Sequence, residues 1–280
     1  MSLALEAQPS PRRHATGLFL LVAAFTAFWL SLNILFPQLQ ATGVPSIVVR
    51  LMIHVVILTG LWLGLARTEF DRATRVRTWF TIAAVFTAWL GLAWWLAVAD
   101  AFRAGQRSGV PAIPFAIFLP VLFGLPVLLA SKRIGAILDA MPTPWLVALQ
   151  VYRVFGGIFL VAWGRGTLSS AFALPAGTGD MLTGLLALPV AYLLYTRAVG
   201  ARRTAIAWNA LGLVDFTIAI GMGLLTSPGP LQMIVPDVPN AQLGTFPTVL
   251  IPTFAVPSSI LLHALSLRQL WRRRTLRELP

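Results

Sequence analysis

Long apolar stretches, each bounded by charged or turn-forming residues, set the pattern of this chain. Eight of them approach the roughly 20 residues that an α-helix needs to cross a hydrocarbon core about 30 Å thick: residues 16–36, 45–66, 76–98, 112–130, 144–163, 178–196, 204–226 and 247–270. Pro114, Pro120 and Pro126 interrupt the fourth. Membrane helices tolerate proline where neighbours satisfy the freed carbonyls. The expected fold is an all-α polytopic transmembrane bundle of eight spans, or seven if the proline-rich stretch is not one. Residues 1–15, with Pro9, Ser10 and Pro11 ahead of Arg12 and Arg13, are expected to form a disordered tail. Residues 16–270 form a single transmembrane domain, with the first four spans in 16–130 and a polar-lined last four in 144–270. Residues 271–280 form a basic tail.

Composition excludes a soluble fold. Hydrophobic residues make up 58% of the 280 and charged residues 11%, with a mean hydropathy of +0.81, whereas a soluble domain carries about 25% charged residues. One soluble core of this size could not bury that much apolar surface. The absence of cysteine removes disulfides, thiolate metal sites and cysteine nucleophiles.

The net charge of +12 is informative through its placement. With the N-terminus inside, Arg50 and Arg153 fall within spans and only Arg103, Arg107 and Arg165 fall in outer loops. All the other basic residues, Lys132 among them, lie at cytoplasmic segments. That is the asymmetry of the positive-inside rule, so both termini are expected in the cytoplasm. Arg272, Arg273 and Arg274 are expected to meet anionic lipid headgroups. No basic surface is left over for nucleic acid. Trp79, Trp145 and Trp271 near inner helix ends, and Trp94, Trp95 and Trp163 near outer ones, fit an interfacial aromatic belt. Arg12-Arg13 resembles a twin-arginine signal, but no Phe-Leu-Lys follows. Residues 24–41 offer no small-x-small cleavage site, so the first helix is expected to stay as an anchor. Two longer outer loops are expected. Residues 164–177 run into Leu174-Pro-Ala-Gly-Thr-Gly-Asp180, and residues 227–245 carry four prolines around Met233, Ile234 and Val235, an apolar patch suited to the membrane surface or to capping the bundle.

Ionisable residues inside spans are costly and normally face partners. At 1.5 Å per residue from the cytoplasmic end, Asn209, Gln150 and His263 lie about 8–10 Å deep and Arg153 and Asp215 about 14–16 Å. His54 follows at about 18 Å, and Arg50 and Asp180 lie at about 24 Å. Helical spacing groups Gln150, Arg153 and Gly157 on one face, Asn209, Gly212, Asp215 and Ala219 on another, and Ser259, His263 and Ser266 on a third. Two accounts fit. In one, Arg153–Asp215 and Arg50–Asp180 are buried structural ion pairs, and the amides and His263 are interhelical hydrogen-bonders. In the other, Arg153, Asp215, Gln150, Asn209, His263 and His54 line a ligand site, in which an arginine among amides suits an anionic or carboxylate solute and a histidine can carry a proton. Arg50 and Asp180 then form an outer-half polar pair.

Tests for chemistry give no catalytic or metal set. Gly177-Thr178-Gly179-Asp180 resembles the Gly-x-Gly-Asp signature of intramembrane aspartyl proteases, which implies a second aspartate close enough to share a proton. That family's other aspartate precedes the motif, whereas Asp215 follows it, and helix-dipole complementarity explains an Asp at a helix start more simply. A bis-histidine haem would need His54 and His263 level, and their depths differ by about 8 Å. The lone lysine lies in a loop, which excludes a retinal Schiff base. Ser259 and His263 lie one turn apart but lack an orienting carboxylate. No cofactor is expected.

The stretch Gln150-Val-Tyr-Arg153-Val-Phe-Gly-Gly157, the Leu-Pro-Ala-Gly-Thr-Gly-Asp180 segment and Phe246-Pro-Thr-Val-Leu-Ile-Pro252 resemble a set of uncharacterised bacterial multi-pass inner-membrane proteins over residues 145–270. The resemblance implies no activity. The expected function is that of a small permease or solute-binding membrane protein of a bacterial inner membrane, without enzymatic chemistry. A membrane assembly, sensor or accessory subunit with a protein partner is the alternative, and an aspartyl protease-like enzyme the third reading.

Overall fold

A computed structural model of the chain describes residues 11–109 and 112–277, and every regular element among them is helical. The elements are α1 (Pro11–Leu35), α2 (Pro37–Ala41), α3 (Val44–Leu65), α4 (Arg72–Val98), α5 (Ala101–Ser108), α6 (Ala112–Ala130), α7 (Lys132–Ala140) and α8 (Pro144–Ala148). A 3-10 helix over Leu149–Gly157 leads into α9 (Ile158–Gly164), followed by α10 (Ser170–Tyr195) and α11 (Ala201–Thr226). A short 3-10 turn (Ala241–Gly244) and a π-helical turn (Ile251–Ala255) precede α12 (Val256–Arg277). Among the described residues, seven helical stretches are long and apolar enough to cross a membrane: α1, α3, α4, α6, the α8–3-10–α9 run, α10 and α11.

The stretch expected as an eighth span is divided between the π turn and α12, whose last turns carry Arg268, Arg272 and Arg273, and α12 is not among the seven. It still runs the length of the bundle. Val249 and Leu250 pack with Ala97 and Phe102 at one end, and Arg272 pairs with Asp139 at the other. The first of these is the loop end, and the second, with most of the basic residues, is the arginine end.

Local chemistry explains the boundaries. Asp71 caps α4, its Oδ2 accepting from the Thr74 backbone N–H at 3.2 Å. The Thr74 hydrogen bonds hold the Asp71 carboxyl below its ordinary range. Ser131 caps α7 through the Ile134 N–H at 3.3 Å. Helix α6 runs unbroken through Pro120 and Pro126, as the expected fourth span does. Helix α1 begins at Pro11, inside the stretch expected as a tail; residues 1–10 lie outside the described residues.

Two departures from expectation shape the interior. Helix α10 starts at Ser170, so the glycine-rich segment before Asp180 is helix and not loop. Phe172, Ala173 and Ala176 are buried there with Phe159 and Leu168, and such burial outweighs the weak propensity of glycine and proline. Arg153 lies on 3-10 helix, which rises about 2.0 Å per residue against 1.5 Å for an α-helix, and this carries it further toward the loop end. The 3-10 run lies tight against α10, where a Cβ on Gly184 would stand 2.8 Å from Val154 Cγ1.

The arginine end is tied internally. Arg272 makes two hydrogen bonds to the Asp139 carboxylate, and Arg273 donates to the carbonyls of Asp139 and Met141. Arg268 donates to Leu128 and Ser131 carbonyls. These cations meet the carbonyls at the ends of α6 and α7, where a helix dipole favours them. The side chain of Arg274 lies outside the described residues. Of the six tryptophans expected in the belt, Trp95, Trp163 and Trp271 are exposed. The other three pack inward: Trp79 donates to the Leu58 carbonyl, Trp94 meets Phe246, and Trp145 lies under Arg67.

Candidate functional site

Arg153 is the centre of a closed polar network between the 3-10 helix, α10, α11 and α12. Its Nε donates to Asp180 Oδ1 at 2.7 Å and its Nη2 to Asp215 Oδ2. Its Nη1 reaches His263 Nε2 at 3.0 Å and the Gly212 carbonyl at 3.5 Å, and the guanidinium carbon lies 3.9 Å from the centre of the Phe216 ring. Guanidinium nitrogens only donate, so His263 Nε2 accepts and the ring proton is on Nδ1, which donates to Asn209 Oδ1 at 2.9 Å. Asn209 Nδ2 in turn donates to the Ala205 carbonyl and to Ser266 Oγ. Only glycine fits at position 212, since a Cβ there would stand 2.8 Å from Arg153 Nη1 and closer still to the His263 ring. Gln150, fully buried, donates to the Ser259 carbonyl at 3.5 Å, and its Oε1 has no donor among the described residues.

Arg153, Asp215, Asn209 and His263 therefore do come together, while Gln150 meets α12 through the Ser259 carbonyl. His54 does not join them. Its ring stacks on Phe86 with centroids 5.0 Å apart, and its Nε2 bonds Thr87 Oγ1 at 3.1 Å. Positions four apart on a helix differ by about 40° of rotation, enough for His54 to turn to α4 while Arg50 faces inward. The expected Arg50–Asp180 pair is not formed either. Asp180 bonds Arg153 on the adjoining 3-10 run instead, so one arginine holds both aspartates. The two carboxylates share one guanidinium, the geometry of an ion-pair triad. Ser259 Oγ bonds Tyr152 Oη at 2.5 Å, while His263 faces Arg153 and Asn209, so the serine–histidine arrangement is not assembled. Among the described residues there is no group of three or more metal-ligating side chains.

Arg50 is the exception to this closure. It is buried, its Nε has no acceptor, and no hydrogen bond or ion pair holds it among the described residues. Asp180 attracts it only through space. It borders two cavities. One, of about 30 Å³, lies beside Tyr152, Arg153, Asp180 and Ser259. The other, of about 90 Å³, lies toward the loop end, between Trp29, Ser46, Phe159, Gln242 and Thr248. Ser46, one turn before Arg50 on α3, also has a buried hydroxyl without a partner among the described residues. Sequence reasoning missed Ser46, Gln242, Tyr152 and Phe216 as neighbours of the charged groups. The four-residue spacing of Ser46 and Arg50 was the available signal for the first; the others depend on tertiary packing.

The loop over this end is held down. Asn240 accepts from the Ser169 N–H and donates to Thr226 Oγ1, and Gln242 donates to the Thr167 carbonyl. Met233 and Val235 remain exposed on it.

A family model, described as a domain of unknown function (DUF8737), matches residues 110–271, more than half of the chain. The chain belongs to the DUF8737 family. No curated protein and no solved structure matches it. The DUF8737 segment holds the whole Arg153 network, whereas Arg50, Ser46 and His54 precede it. The cavities beside Arg50 thus lie where the DUF8737 segment meets the helices before it.

Proposed function

We propose that this DUF8737 protein is a small permease or solute-binding membrane protein of a bacterial inner membrane, and that its solute is a small anion held at Arg50. The observation that carries this reading is a buried guanidinium without a bonded partner, bordering cavities. A buried cation is stable only when paired or hydrogen-bonded, and a carboxylate in the cavity would accept from its fork. Ser46 and Gln242 offer further polar groups there. The Arg153 network forms the floor of the site and holds its helices in place. In this reading the π turn and α12 complete an eighth span, the arginine end and both termini face the cytoplasm, and the loop end opens outward. The exposed arginine positions of that inner end then adjoin anionic headgroups.

The test uses purified protein in phosphatidylcholine nanodiscs, unfolded by heat with sodium acetate or with sodium chloride at equal ionic strength. Acetate should raise the midpoint for the native sequence and not for Arg50→Gln, and labelled acetate should enter proteoliposomes carrying the protein. Equal midpoints in the two salts would remove the anion site, and binding without uptake would leave a solute-binding protein that is not a permease.

A second reading, an accessory membrane subunit, draws on the exposed Met233 and Val235 of the loop-end segment. A stoichiometric membrane-protein partner lost from a Met233→Ser/Val235→Ser variant would favour it.

A further inference from the structure

We infer that the solute is an amphipathic acid, its carboxylate at Arg50 and Ser46 and its unbranched apolar chain in the crevice between α6 and α11. This rests on the anion site proposed at Arg50 and adds the class of molecule that fills it. The crevice has a volume of about 100 Å³ and is walled by Pro114 and Ile117 of α6, Phe172 of α10, and Phe216, Gly223 and Leu224 of α11. Residues 227–231 border it at the loop end.

Three features point to this occupant. First, the cavities form a line. Arg50 borders both the 90 Å³ and the 30 Å³ cavities, and Asp180, Phe216, Ile251 and Val256 border both the 30 Å³ cavity and the crevice. A head at Arg50 and a tail in the crevice therefore occupy neighbouring spaces, with Phe159, Leu243 and Ile251 lining both the crevice and the larger cavity at Arg50. Second, the walls differ in chemistry. The crevice is lined by apolar side chains apart from Ser227 and Asp180, which bonds Arg153, while the cation and the hydroxyl without partners among the described residues stand at the other end. Alkyl chains gain about 0.8 kcal/mol per buried methylene, and a carboxylate gains from a guanidinium fork; one molecule with both ends uses both. Third, the helices beside the crevice present exposed apolar side chains, Phe118 and Leu122 on α6 and Val214 and Ile218 on α11. An acyl chain arriving from the bilayer meets the crevice without crossing a polar barrier.

The experiment compares acetate, butyrate and octanoate, with 1-octanol as the uncharged control, by heat unfolding of the full chain in phosphatidylcholine nanodiscs. Octanoate should reach half-maximal stabilisation at a concentration at least about tenfold below that of acetate, since several methylenes are buried, and 1-octanol should give no comparable shift. Gly223→Phe fills the crevice beside Phe172, and Leu224→Trp narrows it from the neighbouring position of the same helix as a second variant in case the first does not fold. Either should erase the advantage of octanoate while leaving the acetate shift. Equal potency of acetate and octanoate on the native sequence overturns the tail assignment and leaves the anion site standing. Equal shifts with octanol and octanoate mean that the crevice takes bilayer lipid and no acid, which also overturns it. No response to any carboxylate removes the anion site and this inference together.

Discussion

Arg50 and Arg153 border the same cavity of about 30 Å³, but only Arg153 is bonded to carboxylates. Asp180 and Asp215 both face one guanidinium, so formal charge in the interior balances only when Arg50 is counted with them. The two arginines thus differ in kind: the protein itself fixes Arg153 and leaves Arg50 available. The first is architecture, and the second is where a ligand adds something the chain lacks.

Replacing Arg153 with methionine should unfold or nearly unfold the protein. It would strand two buried carboxylates, and breaking a buried ion pair by removing one partner costs about 3–5 kcal/mol. Adding Asp215→Asn to that variant should recover part of the loss, because one of the stranded charges disappears. Thermal unfolding in a neutral detergent reads both. A native midpoint for the single variant would show that Arg50 can take over the aspartates.

Arg50→Met should behave differently. No hydrogen bond or ion pair of Arg50 is broken among the described residues, so the ligand-free loss should be smaller than that of Arg153→Met, which strands both aspartates. The same variant should lose every carboxylate-dependent shift in midpoint. A ligand-free loss as large as that of Arg153→Met would mean that Arg50 is also structural.

The apolar pattern made the helices legible, because span length and hydrophobicity are properties of consecutive residues. Helix α6 ends where its apolar stretch ends, despite two internal prolines. What the pattern could not carry was axial position. The depth count placed Arg50 and Asp180 level, whereas Asp180 bonds Arg153 on the 3-10 run packed against α10. The 3-10 geometry around Arg153 has no signature in composition, yet it sets which carboxylate the arginine reaches. Asn209, Asp215 and His263 were identifiable as a group from helical spacing. His54 was expected to line the same site and stacks instead on Phe86, a tertiary partner.

At the arginine end, a neutral amide should matter more than an ion pair. Gln269 is fully buried and its Nε2 donates to the Leu138 and Met141 carbonyls at 2.6 and 2.8 Å. Gln269→Leu leaves both carbonyls without this donor, at about 1–3 kcal/mol. Asp139→Asn weakens its partly exposed pair with Arg272 and should cost no more than about 1 kcal/mol. Unfolding at about 0.1 M and about 1 M salt separates them, since screening shortens the Debye length from about 10 to 3 Å. The Asp139 effect should fade at high salt and the Gln269 effect should persist.

Two glycine-to-alanine changes should move stability in opposite directions, because the same added methyl meets different surroundings. A Cβ on Gly91 of α4 would meet no heavy atom within 4 Å, so Gly91→Ala gains the ordinary helix preference of alanine, about 0.5–1 kcal/mol. At Gly212 the added methyl would press on the His263 ring and on Arg153 Nη1. Neither can retreat, since His263 is also held by Asn209 and Arg153 by two aspartates. Overpacking of this kind costs about 1–3 kcal/mol, and here it also displaces hydrogen bonds, so the upper part of that range is expected. Thermal unfolding of the two variants side by side controls for the propensity term. If Gly212→Ala were as stable as Gly91→Ala, the network around Arg153 would have to be loosely packed, and its role as a rigid floor beneath Arg50 would be lost.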